Sequence, residues 1–184
     1  MEMRTEKRFS TVRLAKMAML VAISVVLVAI IHIPIFPAVA FLEYDPADIP
    51  ILLGTFAFGP VAGVLLTIVT AFIQGTTVSA ASGIYGIIMH ILATSALVIV
   101  AGCIYKHKKS RKSAIIGLLC GIAAMVIVMM AANMVITPLF MGVPKEVVWQ
   151  LMPFIVAFNA IKAGINSVIT FLCYKRLSAF LHRM

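Results

Sequence analysis

Five apolar runs, at about 14–33, 48–74, 84–105, 114–137 and 150–174, take up most of the 184-residue chain and leave little else to build with. At about 1.5 Å of rise per residue, roughly 20 residues cross a bilayer core, and four of the runs fit one crossing each. A hydrophobic share of 63% against 11% charged is the composition of an integral membrane protein, not of a soluble domain. The run 48–74 is long for one crossing, and FGPVAG (58–63) interrupts it. Pro60 has no N–H to give and biases the residue before it away from helix, so Gly59-Pro60 divides the run in two. The expected fold is all-α: one domain over 1–184, a bundle of six transmembrane helices, with helices 2 and 3 short and broken at Gly59-Pro60.

Charge placement sets the expected topology. Thirteen of the fifteen Lys and Arg residues flank apolar runs: Arg4, Lys7, Arg8, Arg13 and Lys16 before or at the start of the first, five more in KHKKSRK (106–112), and Lys175, Arg176 and Arg183 after the last. The positive-inside rule makes these segments cytoplasmic, namely the N-terminus 1–13, the loop 106–113 and the tail 175–184. That parity requires 48–74 to enter and leave the membrane on the same side, as two crossings or as a re-entrant pair. EYDPAD (43–48) and the stretches 75–83 and 138–149 then lie outside. The net charge of +9 thus reflects membrane topology, and no nucleic-acid partner is expected. AVA (38–40) after a basic start and an apolar run has the outline of a signal cleavage site, but Met17–Ile33 is long for a signal core, and it is read as a retained span. Cys103, Cys120 and Cys173 lie within or at the ends of apolar runs without metal-like spacing and are read as small apolar residues.

FNAIKAGINS (158–167) places Lys162 deep in the last apolar run, with Asn159 and Asn166 at i−3 and i+4. All three fall on one helical face. A lysine there costs several kcal/mol unless it finds a partner. Either it is held in a structural ion pair, or it donates to a ligand in a cavity. Asn133, near the far end of helix 5, is expected to form a second wall at similar depth, with Pro138 ending that helix. In FLEYDPADIP, Asp48 before Ile49-Pro50 has the pattern of a helix N-cap, and Tyr44 and Asp45 are candidates for the pocket mouth. His90 is mid-span in helix 4. Gln74, Thr76, Thr77, Ser79 and Ser82 form a polar stretch within reach of a substrate. Phe56, Phe58, Tyr85 and Trp149 are candidates for apolar contact. Ala15, Ala18 and Ala22 form a small-residue stripe on helix 1 that suits close approach of another membrane subunit. Gly117-xxx-Gly121 is a second such pattern. There is no GxxxxGK[ST] phosphate loop, no HExxH and no nucleophile elbow, so the sequence carries no ATPase or hydrolase motif. No metal set and no cofactor are expected.

In order along the chain, YDPADIPILLGTFAFGPVAG, NMVITPLF and PFIVAFNAIKAGIN resemble the substrate-binding S-components of energy-coupling-factor vitamin transporters, and most nearly the riboflavin-specific branch. The resemblance implies a non-enzymatic membrane protein that binds a vitamin from outside and works with a coupling membrane subunit and two cytoplasmic ATPases. It implies that Asn133, Asn159 and Lys162 hydrogen-bond the flavin or its ribityl chain, and that Ala18-xxx-Ala22 faces the coupling subunit. Other members of the class bind folate, pantothenate or thiamin-like ligands on the same scaffold. From the residues alone, two rivals stay open: a non-binding membrane scaffold with Lys162 in a structural pair, and a small proton-coupled carrier using Lys162 and His90.

Overall fold

The computed structural model describes residues 11–183, with side chains described through Tyr174. Arg4, Lys7 and Arg8, and the side chains of Lys175, Arg176 and Arg183, lie outside the described residues. Six α-helices follow one another: α1 (Thr11–Ile30), α2 (Asp48–Phe58), α3 (Pro60–Thr76), α4 (Gly83–His107), α5 (Arg111–Met141) and α6 (Lys145–Arg183). Four of them, α1, α4, α5 and α6, are long and apolar enough to cross a membrane, whereas α2 and α3 span 11 and 17 residues. The helix count and the short second and third helices match the sequence reading.

The break between α2 and α3 falls where Gly59-Pro60 places it. Gly59 has φ 95° and ψ 170°, a conformation open in practice only to glycine. Its N–H donates to the Thr55 carbonyl, closing α2, and Pro60 opens α3 at the position where a missing N–H costs nothing. Arg13 of α1 braces the joint: its Nη2 donates to the Phe58 carbonyl at 2.7 Å and its guanidinium lies 5.4 Å from the Phe58 ring centroid.

The glycine pattern on α5 also has a structural outcome. A Cβ on Gly117 would lie 2.9 Å from the Ala101 carbonyl oxygen, and one on Gly121 would lie 2.9 Å from that of Leu97. The α4 and α5 backbones therefore meet directly, as small residues permit. At this end of the bundle, which carries the basic 106–112 segment, Phe56, Tyr105 and Tyr174 form an aromatic cluster with ring centroids 4.6–6.2 Å apart.

The opposite end is built differently from the sequence expectation. Residues 31–47 form a small antiparallel pairing of β1 (Ile33–Pro34) with β2 (Glu43–Tyr44), joined through a 3-10 turn at Pro37–Val39. Val39 is fully buried against Val148, Met152 and Ile155 of α6, so this segment lies across the start of that helix. Pro138 does not end α5. The helix runs on to Met141, and Gly142, at φ 66°, closes it by donating its N–H to the Pro138 carbonyl. A proline in the last turn removes only one helical bond, and the left-handed glycine is the true stop. α6 begins at Lys145, ahead of the apolar run, and continues through 175–183, which was expected to be a tail.

Candidate ligand-binding site

The buried face of α6 carries Asn159, Lys162, Asn166, Ser167 and Thr170, all turned into the bundle. Lys162 is 7% exposed, and its Nζ donates to Asp45 Oδ2 at 2.7 Å across 117 residues of sequence. Asp45 itself is 3% exposed. It also accepts the Ala47 N–H through Oδ1 at 3.0 Å, which fixes the turn into α2. Burial alone would push the Asp45 carboxyl up, but the Lys162 ammonium, with His90 and the Ala47 N–H, holds it below the usual carboxylate range.

A second carboxylate stands behind the first. Asp48 is fully buried and accepts from Thr94 Oγ1 at 2.6 Å and from Asn166 Nδ2 at 3.2 Å. The Asn166 amide also donates to the Asp45 carbonyl at 3.0 Å, and its Oδ1 accepts from the Tyr44 hydroxyl at 3.1 Å. Asp48 is therefore not an N-cap. It is the first residue of α2, Ala47 occupies the cap position without a side-chain bond, and the carboxylate ties α2 to α4 and α6. The turn 44–48 and α6 are locked together by charges and amides at the loop end of the bundle.

Beside this network lies a cavity of about 120 Å³. Asp45, His90, Asn159 and Lys162 line it, so four of the eight expected ligand residues come together on its walls. Asn166, Tyr44 and Asp48 stand one layer behind and hold Asp45 and α6. Asn133 does not line the cavity: its amide donates to the Met129 carbonyl and accepts from Thr137, each at 2.8 Å within α5, and the α5 wall is made by Met125 and Met129. The remaining apolar wall comes from Phe41, Ile87 and Phe158. Of the aromatic residues expected at the ligand, Phe56 and Phe58 lie at the far, basic end, and Trp149 is exposed. Tyr85 lines a smaller cavity of about 60 Å³ that shares Phe41, Leu42, Ser82, Gly86 and Met89 with the main one. Those shared residues are the partition between the two spaces.

The polar groups on these walls are not all occupied. An ammonium has three donors, and Lys162 spends one on Asp45 among the described residues. Asn159 uses its Nδ2 on the Ile155 carbonyl at 2.8 Å, which leaves its carbonyl oxygen unbonded among the described residues. Thr94 and Gln74 are the site residues that sequence reasoning missed or left in the loop. Threonines are frequent inside membrane helices, so Thr94 had no distinguishing signal, and Gln74 was visible as a polar side chain two residues before the end of α3. Ala15, Ala18 and Ala22 are all exposed on α1 among the described residues.

Comparison with known proteins gives this arrangement its context. Residues 12–174 match the family model of the ECF transporter, substrate-specific component. The chain is 34% identical to the riboflavin transporter RibU of Staphylococcus aureus (strain TCH60), over 94% of this chain and 93% of that protein. It also matches a solved structure described as the S component of a bacterial ECF transporter, with a TM-score of 0.79 and 34% identity over 92% of this chain and 97% of the other. A multi-pass helical bundle with a partly polar cavity at one end, matched along nearly its whole length, is a member of the family of substrate-specific components of ECF transporters.

Proposed function

We propose that the chain is the riboflavin-binding S-component of an energy-coupling-factor importer, a binding subunit and not an enzyme. The observation that carries this reading is the cavity itself: Met125 and Met129 of α5, with Phe158, Asn159 and Lys162 of α6, line it, and the last two retain unused hydrogen-bonding capacity. A flat heteroaromatic ring with carbonyl and ring-nitrogen acceptors suits such a site, where a few placed polar groups orient a mostly apolar ligand. The relative named a riboflavin transporter supports the choice of vitamin. A second, smaller cavity lies beyond Phe41 and Leu42. Displacing that segment joins the two spaces and brings Thr137, held by Asn133, to the enlarged wall.

In this reading the loop end faces outside and captures the vitamin, and the N-terminus, 106–113 and 175–184 are cytoplasmic. Energy comes from a coupling membrane subunit and two cytoplasmic ATPases, because the sequence has no phosphate loop. The exposed stripe of Ala15, Ala18 and Ala22 is the docking face for the coupling subunit.

The test is to purify the protein in detergent, record its visible absorption and titrate riboflavin by quenching of flavin fluorescence. Saturable quenching near one ligand per chain is the expected result. Absence of quenching, with a thermal shift on folate, pantothenate or thiamin instead, would move the vitamin within the class. Silence with all of them would favour the scaffold.

A further inference from the structure

We infer that Gln74 is a specificity-determining residue that reads a hydroxyl of the ligand's side chain, an assignment that rests on the flavin reading above. Gln74 is 8% exposed and lines the main cavity from the last turn of α3. Its Oε1 is buried without a hydrogen-bond partner among the described residues, while its Nε2 reaches only Ser79 Oγ, at 3.5 Å. A buried amide left half-paired is unfavourable for the empty protein, and a ligand in the cavity that Gln74 lines is what can repair the deficit.

Position in the cavity narrows what that ligand group is. The α3–α4 wall descends from Gln74, Ser79 and Ser82 at the rim, through Gly86 and His90, to Thr94. From Gly86 to Thr94 along α4 is about 12 Å. The apolar residues Met125, Met129 and Phe158 lie with Asn159 and Lys162 on the opposing α5 and α6 walls, where an aromatic ring is best accommodated. The rim carries most of the uncharged and loop polar groups, Gln74, Ser79, Ser82, His32 and Glu43, with Phe41 and Leu42 between them. A ligand with a ring and a polyol tail therefore places the tail at Gln74. A hydroxyl is both donor and acceptor, so it satisfies the free atom of the amide in either of its two orientations. A ring N–H or a methyl group does not.

The contrast with His90 supports choosing Gln74 as the reader. His90 Nε2 is also buried without a partner. It lies about two turns below the rim, at the depth of the ring, and shares its surroundings with Asp45 and Lys162. Gln74 makes no hydrogen bond to Asp45 or Lys162 among the described residues, so a change there leaves that ion pair's own bond in place.

The experiment is a pair of titrations on the purified full chain, wild type and Gln74→Leu, with riboflavin and with lumiflavin, which keeps the ring and replaces the ribityl chain by a methyl group. The expected result is a loss of about 10-fold or more in riboflavin affinity, with lumiflavin affinity moved by less than about 2-fold. The ligand-free variant is expected to melt no lower than wild type, because replacing an unpaired buried amide by an apolar group removes a deficit. Gln74→Met, closer in length, is expected to reproduce the split. Equal losses for both ligands, no loss for either, or a lowered melting temperature accompanying both would overturn the assignment. A wild-type protein that binds neither flavin would instead refute the flavin reading on which it rests, and this assignment would fall with it.

Discussion

The two ends of this bundle are held together by opposite means. At the basic end, rings and small residues do the work: Tyr174 packs edge to face on Phe56 and Tyr105, and Gly117 and Gly121 let α5 press against the α4 backbone. At the loop end, Asp45, Asp48, Lys162 and Asn166 form a buried polar network whose members come from a turn and from helices far apart in sequence. Ring and backbone packing holds the basic end without filling it: a cavity of about 140 Å³ remains there, lined by Phe56, Phe58, Gly102 and Tyr105. A network of charges and amides keeps directional groups in place beside an open cavity, and that is what ligand recognition needs. The molecule puts ring packing at one end and its directional polar chemistry at the other.

The largest effect that sharpens this contrast is expected from Lys162→Ala. Removing the ammonium leaves Asp45 buried without its counter-charge, which costs about 3–5 kcal/mol. A drop in thermal stability in detergent should accompany the loss of ligand binding, and an unchanged melting temperature would break the claim that the pair holds the loop end together. Next is Thr94→Val, which takes a hydrogen bond from a buried carboxylate and is expected to cost about 1.5–3 kcal/mol. Its mark should be faster local hydrogen exchange in 44–50 relative to the basic end. Gly117→Ala attacks the other end. Its Cβ meets a backbone carbonyl that cannot swing aside, so overpacking of about 1–3 kcal/mol is expected. Riboflavin affinity should be unchanged in the fraction that stays folded, and a selective loss of affinity would break the separation of the two ends.

The smallest expected effect is that of pH. The Asp45 carboxyl is held below its ordinary value in the folded protein. Its stabilising contribution is therefore fully present above the unfolded value of about 3.9 and is lost only as pH falls through the lower folded one. Stability of the loop end should be flat between about pH 5 and 8 and fall below about pH 4. A midpoint near pH 6 would point to another group.

Much of this was legible in the chain. Runs of about 20 apolar residues, a Gly-Pro break and a helical face of Asn159, Lys162 and Asn166 are local patterns, and the structure reproduces each of them. Long-range pairing was not legible. Lys162 and Asp45 are 117 residues apart, and nothing local distinguishes a carboxylate that caps a helix from one that reaches across the bundle. Asp48 looked like a cap because Asp before Ile-Pro usually is one. Asn133 looked like a ligand group, yet it is satisfied within its own helix, where its amide shares the carbonyl one turn before it and accepts from Thr137. Pro138 looked like a stop because a proline near a helix end usually is, but Gly142 four residues on supplies the actual one.

The central claim is that the polar wall at the loop end binds the ligand as well as stabilising the fold. The most direct measurement is a riboflavin titration of the double variant Asp45→Asn with Lys162→Met beside wild type. Removing both charges together avoids the stranded carboxylate, and the new amide oxygen can still accept the Ala47 N–H, so the protein should melt close to wild type. The account predicts that this folded double variant loses riboflavin affinity by at least about 10-fold. A double variant that folds and binds as wild type does would contradict it, and would leave the buried pair with a structural role alone.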